Sequence, residues 1–118
     1  MELHSKAPDI FIPKFNENQE NPKSEQIKIW IKYPSVEEYS RFGGFGKTID
    51  EVGLVKFAVT KIENLKCEGK QIESGEDLAN ANRALVWPLV TEIFGQILIA
   101  SGVEEEDEKN SEGQSNSI

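Results

Sequence analysis

Toward the C-terminal end of the chain, Leu89, Val90, Ile93, Phe94, Ile97 and Leu98 recur at steps of three and four residues. That spacing gathers them on one side of a 3.6-residue helix, and so apolar a stripe must be covered by the rest of the fold or by a partner. Pro88 suits the first turn of this helix, where its missing N–H costs nothing, and Gly102 ends it. The remainder of the chain must supply the cover.

Upstream, Ile27 to Tyr33 reads as the best strand, with Ile27, Ile29 and Ile31 on one face and Lys28, Trp30 and Lys32 on the other. Asp9 to Phe15 is also strand-like, but Pro13 confines it to a sheet edge. The loop Asn16 to Glu25 joins the two as a hairpin with a long connection. Two strands alone are marginal, so they need helices or another subunit behind them. Ser35 with Glu38 forms a capping box that opens a short helix, stopped by Gly43 and Gly44. Thr48 to Glu51 repeats that logic and opens a longer helix to about Lys66, with Val52, Val55, Val59 and Ile62 on one side and Gly69 as its stop. Ser74 starts another short helix, running to about Ala84. The expected fold class is α+β: an N-terminal β-hairpin followed by three to four α-helices, mostly helical. Residues 1–8 are expected to be flexible, 9–102 to form a single domain, and 103–118 to be a disordered acidic tail.

A length of 118 residues suits one domain and leaves little room for a deep catalytic cleft. The formal charge is −8, and the basic residues are scattered, which argues against nucleic acid and against an anionic membrane as partners. Leu85 to Ala100, interrupted by Glu92 and Gln96, reads as too short for a membrane span. Cys67 is the single cysteine, so no internal disulfide and no thiolate cluster can form. With no signal peptide legible at the N-terminus, the expectation is a soluble protein of a reducing cytoplasm.

Catalytic chemistry finds little to work with. Gly43 to Thr48 ends like a phosphate-binding loop, but Arg41 stands where its first glycine is required, and a helix precedes it instead of a buried strand. His4 is the lone histidine, with no neighbours to hold it as a base or ligand. Cys67 lacks a histidine or strongly positive setting to activate it. The acidic run Glu104 to Glu108 lacks the spacing of a calcium loop. No catalytic residue, metal ligand or cofactor site is expected. Trp30, Tyr33, Tyr39 and Phe42 place aromatic area around the strand-to-helix junction, where it serves either the core or an interface. The expected protein-binding residues are Trp30, Leu89, Ile93, Phe94 and Ile97, and a small domain with one strong stripe and two strands is expected to self-associate.

One ordered set of segments is familiar. Lys32-Tyr33-Pro34-Ser35-Val36-Glu37-Glu38-Tyr39 is followed by Val59 to Leu65, then by Cys67-Glu68-Gly69-Lys70-Gln71-Ile72-Glu73-Ser74-Gly75-Glu76-Asp77-Leu78. The helix Leu89 to Leu98 then leads into Ser101 and the Glu-rich run ending in Lys109-Asn110-Ser111. In order and spacing this resembles the small tail assembly chaperones of long-tailed bacteriophages, over roughly Ile27 to Ser111. The resemblance implies a non-catalytic protein of the infected bacterial cytoplasm that binds the tape measure protein and helps recruit tail tube subunits. It also implies absence from the finished particle and, as in many phages, a longer frameshifted form. It brings no catalytic residue with it. The polar extension before Ile27 and the Gly43–Gly46 cluster depart from the pattern. A small phage structural or connector protein, or an acidic inhibitor that mimics DNA, are the alternatives.

Overall fold

The computed structural model describes residues 1–2, 9–43 and 48–100. His4, the Gly44–Lys47 stretch of the glycine-rich loop and the acidic segment 103–118 lie outside the described residues. The fold is α+β. β1 (Asp9–Phe11) and β2 (Lys28–Ile31) pair antiparallel, as the hairpin reading expected, with Phe11 opposite Ile29 and Ile10 opposite Trp30. The alternation in β2 sends Ile29 and Ile31 fully inward and leaves Lys28 and Trp30 outward.

The connection between these strands is held by one side chain. A 3-10 segment, Phe15–Glu20, carries Asn16 and Glu17 in left-handed conformations and turns Asn18 into the interior, where it is 1% exposed. Asn18 Nδ2 donates to the carbonyls of Pro13 and Ile27, and its Oδ1 accepts from the Ile27 N–H. The buried amide is thereby satisfied on both sides.

α1 (Val36–Arg41) starts on the capping box expected of it. The Ser35 hydroxyl accepts from the Glu38 N–H at 3.1 Å and the Glu38 carboxylate accepts from the Ser35 N–H at 2.9 Å. α2 (Glu51–Ala58) is capped by Asp50, not Thr48, and is much shorter than the sequence suggested. At Val59 the chain leaves the helix and becomes β3 (Val59–Glu63), which adds to the free side of β2. The sheet is therefore three-stranded, in the order β1-β2-β3. Val59 and Ile62 both point inward although they are three positions apart, because the register slips between Trp30 and Ile31 and Thr60 is the extra residue of a bulge. The Thr60 hydroxyl reaches the Trp30 carbonyl at 3.3 Å.

Gly69 is not a helix stop. β4 (Lys66–Cys67) and β5 (Lys70–Gln71) form a two-residue hairpin in which Glu68 and Gly69 both have positive φ, as a type I′ turn requires. α3 (Gly75–Ala79) is capped by Ser74 and ends well short of Ala84. α4 (Arg83–Ala100) begins five residues before the expected Pro88, with Asn82 Oδ1 accepting from the Ala84 N–H. Pro88 thus sits inside the helix. It and Ala84, whose carbonyl loses its usual partner, both lie on the exposed side, where water can satisfy that carbonyl.

The core is the inner sheet face closed by helices. Ile29, Ile31 and Ile62 meet Leu54 and Val55 of α2, Leu78 of α3, and the Leu89, Ile93 and Ile97 ridge of α4. One further clasp ties α4 to the N-terminal segment: the Glu92 carboxylate accepts from the Lys14 N–H at 2.6 Å and from the Phe15 N–H at 3.0 Å. A residue that reads in the sequence as a polar interruption of an apolar helix is thus an anchor for the loop after β1.

Candidate protein-binding surface

The helices cover the inner face of the sheet, and what remains outward is a compact aromatic and basic face. Its central row is Ile10, Trp30 and Lys61, brought side by side by the pairing of β1, β2 and β3. Ile10 is 54% exposed, and Trp30 and Ile12 are half-buried. The Lys61 ammonium lies 4.7 Å from the centre of the Trp30 ring and 3.1 Å from the Glu63 carboxylate. A cation over an indole face is attractive, yet at an exposed site it is worth only about 0.5–1 kcal/mol, so a partner can displace it. Lys28 stands opposite Glu63, and Lys32 follows Trp30 in the alternation. Sequence reasoning placed Trp30 on this Lys-bearing face, and the structure does the same.

The α4 residues expected to bind protein divide differently. Leu89, Ile93 and Ile97 are 0% exposed and form the centre of the chain's own core, so they present no surface in the closed fold. The apolar stripe is real, but the sheet and α2 cover it. Phe94 is half-buried against the same core, as is Trp87, whose ring carries the Arg83 guanidinium at 4.2 Å. The large apolar residues that α4 does expose are Leu85 and Ile99, at 51% and 52%. Starting at Arg83, the helix is 18 residues with a mean hydropathy of 1.4, which by length and composition is enough to cross a membrane. This exceeds the shorter stretch legible in the sequence.

The junction aromatics Tyr33, Tyr39 and Phe42 pack against the core. Phe42 also meets Phe57, ring centres 5.6 Å apart. The Tyr33 hydroxyl is buried without a well-formed hydrogen bond, although the Gln96 amide and the Asp9 carboxylate lie beside it. Burial chiefly raises its pKa above 10.0, Gln96 offsets part of that, and Asp9 adds to it.

A half-open depression of about 390 Å³ lies between the β4–β5 hairpin and α3, lined by Cys67, Glu68, Lys70, Asp77 and Asn82 among others. Asn82 Nδ2 donates to Glu68 Oε1 at 2.9 Å across it. Among the described residues, no group of three or more His, Cys, Asp or Glu side chains is placed to hold a metal ion. The residues that sequence reasoning missed are Ile10 and Lys61. The strand of Ile10 could be read locally, but Lys61 lies in a segment read as helix, and the pairing that sets Ile10 and Lys61 beside Trp30 could not be read from the sequence. No protein-family model matches the chain, and neither a curated protein nor a solved structure is significantly similar to it.

Proposed function

We propose that this protein is a non-catalytic tail assembly chaperone of a long-tailed phage, acting in the host cytoplasm on the tape measure protein and on recruitment of tail tube subunits. The observation that carries the reading is the ordered series of segments from Ile27 to Ser111 described above. The fold adds an outward sheet face suited to holding a client segment. Ile10 and Trp30 offer apolar area, and Lys28, Lys32 and Lys61 rim it. Aromatic residues with an apolar surround are the usual anchors of protein interfaces. A strand-edge mode is available as well, since β1 has a neighbour on one side only, and pairing of two such edges is a route to self-association.

Light scattering on the protein alone, and after co-expression with the tape measure protein proposed as its client, tests this. The expected result is an oligomer that keeps that partner soluble in a defined complex, and loses it when Trp30→Ala is introduced into a chain that still folds. A monomer with no effect on the partner's solubility rejects the chaperone reading.

A further inference from the structure

The two edges of the three-stranded sheet are not alike. On β3 the Ile62 N–H points away from β2 and donates to the Glu73 carbonyl at 2.8 Å, and Thr60 bulges. The chain itself closes that edge. At β1 the edge is open. The Lys32 N–H donates to the Ala58 carbonyl at 2.8 Å, and the Trp30 carbonyl accepts from the Thr60 hydroxyl, so Trp30 and Lys32 turn their backbone groups toward β3. Backbone directions alternate along a strand, so Ile29 and Ile31 turn theirs toward β1, where they face Phe11 and Asp9. Ile10, opposite Trp30, therefore presents its N–H and carbonyl away from the sheet, and no described residue meets them.

The open stretch is short, and its register is set. Two positions on, the Ile12 carbonyl is the next outward acceptor, and the Gln19 side-chain amide already donates to it at 2.9 Å. An added strand can thus exchange a full pair of hydrogen bonds only at Ile10. Since the β3 edge is closed, head-to-tail addition of sheet to sheet is blocked, and the sheet edge that a second copy can offer is its own β1. An antiparallel pair of β1 strands about a twofold axis sets Ile10 opposite Ile10 and Asp9 opposite Phe11 of the other copy. No like charges face one another, and an isoleucine that is 54% exposed gains an apolar neighbour.

We propose that a second copy of this chain adds to the β1 edge, antiparallel and centred on Ile10, so that two three-stranded sheets join as one. The outer faces then merge. Trp30 and Ile10 of one copy continue into Ile10 and Trp30 of the other, with Lys61 at either end of the row. At about 4.8 Å per strand, the two Trp30 residues stand roughly 14 Å apart and the two Lys61 residues roughly 24 Å apart. The client surface is completed by the second copy. The inference rests on reading that face and edge as interaction surface, and it specifies the partner and the register.

Three paired residues from each copy make a weak interface, so sedimentation equilibrium follows the full chain up to about 1 mM. The expected result is a monomer–dimer equilibrium that stops at two copies. Ile10→Pro deletes only the outward N–H, which an edge strand tolerates, and Ile10→Lys sets two ammonium groups across the axis. Both should abolish the dimer, with urea unfolding showing that each variant is folded; if Ile10→Pro is not, Ile10→Lys decides. Nitroxides on Lys61→Cys in a Cys67→Ser background should give an inter-copy distance of roughly 24 Å, broadened by their tethers. A parent that stays monomeric, a dimer that survives Ile10→Lys, or growth beyond two copies overturns the proposal. A dimer whose labels stand much farther apart uses another surface and overturns it as well. The chaperone reading is decided by client solubility, which this experiment does not use, so the two can fail separately.

Discussion

The side-chain amide of Asn18 and the backbone of Ile27 exchange a reciprocal pair of hydrogen bonds, Nδ2 to the carbonyl at 3.1 Å and the N–H to Oδ1 at 2.6 Å. The arrangement imitates the pairing of two strand residues at a point where the chain has already left β1. A third bond, from Nδ2 to the Pro13 carbonyl at 3.0 Å, fixes the start of the same loop. Asn18 therefore closes a connection that entropy would otherwise leave open.

Asn18→Ala removes the side chain and leaves the Ile27 N–H and two carbonyls to find water at a largely closed position. The expected loss is about 2–3 kcal/mol, read from urea unfolding. Asn18→Asp should also destabilise, because it keeps the acceptor for Ile27 and sets an anion against two carbonyls. A loss within about 0.5 kcal/mol for Asn18→Ala would mean that the loop is held by packing alone.

Burial in α4 separates core residues from surface residues that hydropathy alone treats alike. Ile93→Ala should cost about 2–5 kcal/mol, since the side chain is fully enclosed between the sheet and α2. Ile99→Ala, at a half-exposed position, should stay within about 0.5 kcal/mol. Ile93→Asp and Ile97→Asp should prevent folding, so they cannot serve as tests of partner binding. Thermal and urea unfolding of the alanine pair check the contrast. Equal losses at both positions would place α4 against something other than the sheet.

Much of this architecture could be read from local chemistry. The Ile29–Ile31 alternation, the Ser35–Glu38 box, the Ser74 cap and the α4 stripe each form where their residues predict, because each depends on neighbours a few positions away. The helix expected to reach Lys66 did not form past Ala58, and its misleading signal has a physical source. A bulged strand presents residues three apart on one face, so Val59 and Ile62 imitate the spacing of a helix. Val52, the first member of that apparent stripe, is exposed. The competing factor was non-local: β2 offered a free edge and two buried isoleucines, and β-branched Val59 and Thr60 filled it. The sheet face around Trp30 was half legible for the same reason. Its β2 residues follow from alternation, whereas Ile10 and Lys61 join only through pairing across the chain.

The capping box at α1 gives a pH-dependent prediction. Glu38 has its pKa lowered below 4.5, first by the Ser35 N–H that its carboxylate accepts, against a smaller desolvation effect and with lesser help from the Ser35 hydroxyl, Lys32 and Arg41. A carboxylate with a depressed folded-state pKa contributes its stability above its unfolded value and loses it as pH falls through the folded one. Glu38→Gln should therefore be less stable than the parent at pH 7, and the gap should close below pH 4.5. Paired urea titrations at pH 7 and pH 3 measure it. A gap that does not narrow between pH 7 and pH 3 would assign the effect to the shape of the side chain instead of its charge.

Two glycines make opposite predictions from one substitution. A Cβ on Gly75 would stand 2.7 Å from the Lys56 carbonyl oxygen and 2.9 Å from those of Val55 and Val59, which are backbone atoms at the α2–β3 junction and cannot turn aside. Gly75 is what allows α3 to lie directly on the point where helix becomes strand. Gly75→Ala should therefore destabilise by about 1–3 kcal/mol, as over-packed interiors do. Gly95 lies within α4, and a Cβ there meets nothing within 4 Å. Gly95→Ala keeps helical geometry and reduces the freedom of the unfolded chain, so it should stabilise by about 0.5–1 kcal/mol. Urea midpoints of the two variants should move in opposite directions from the parent. If Gly75→Ala is neutral, α3 does not rest on the α2–β3 junction. If Gly95→Ala destabilises, that side of α4 is covered by a partner or by the chain beyond Ala100.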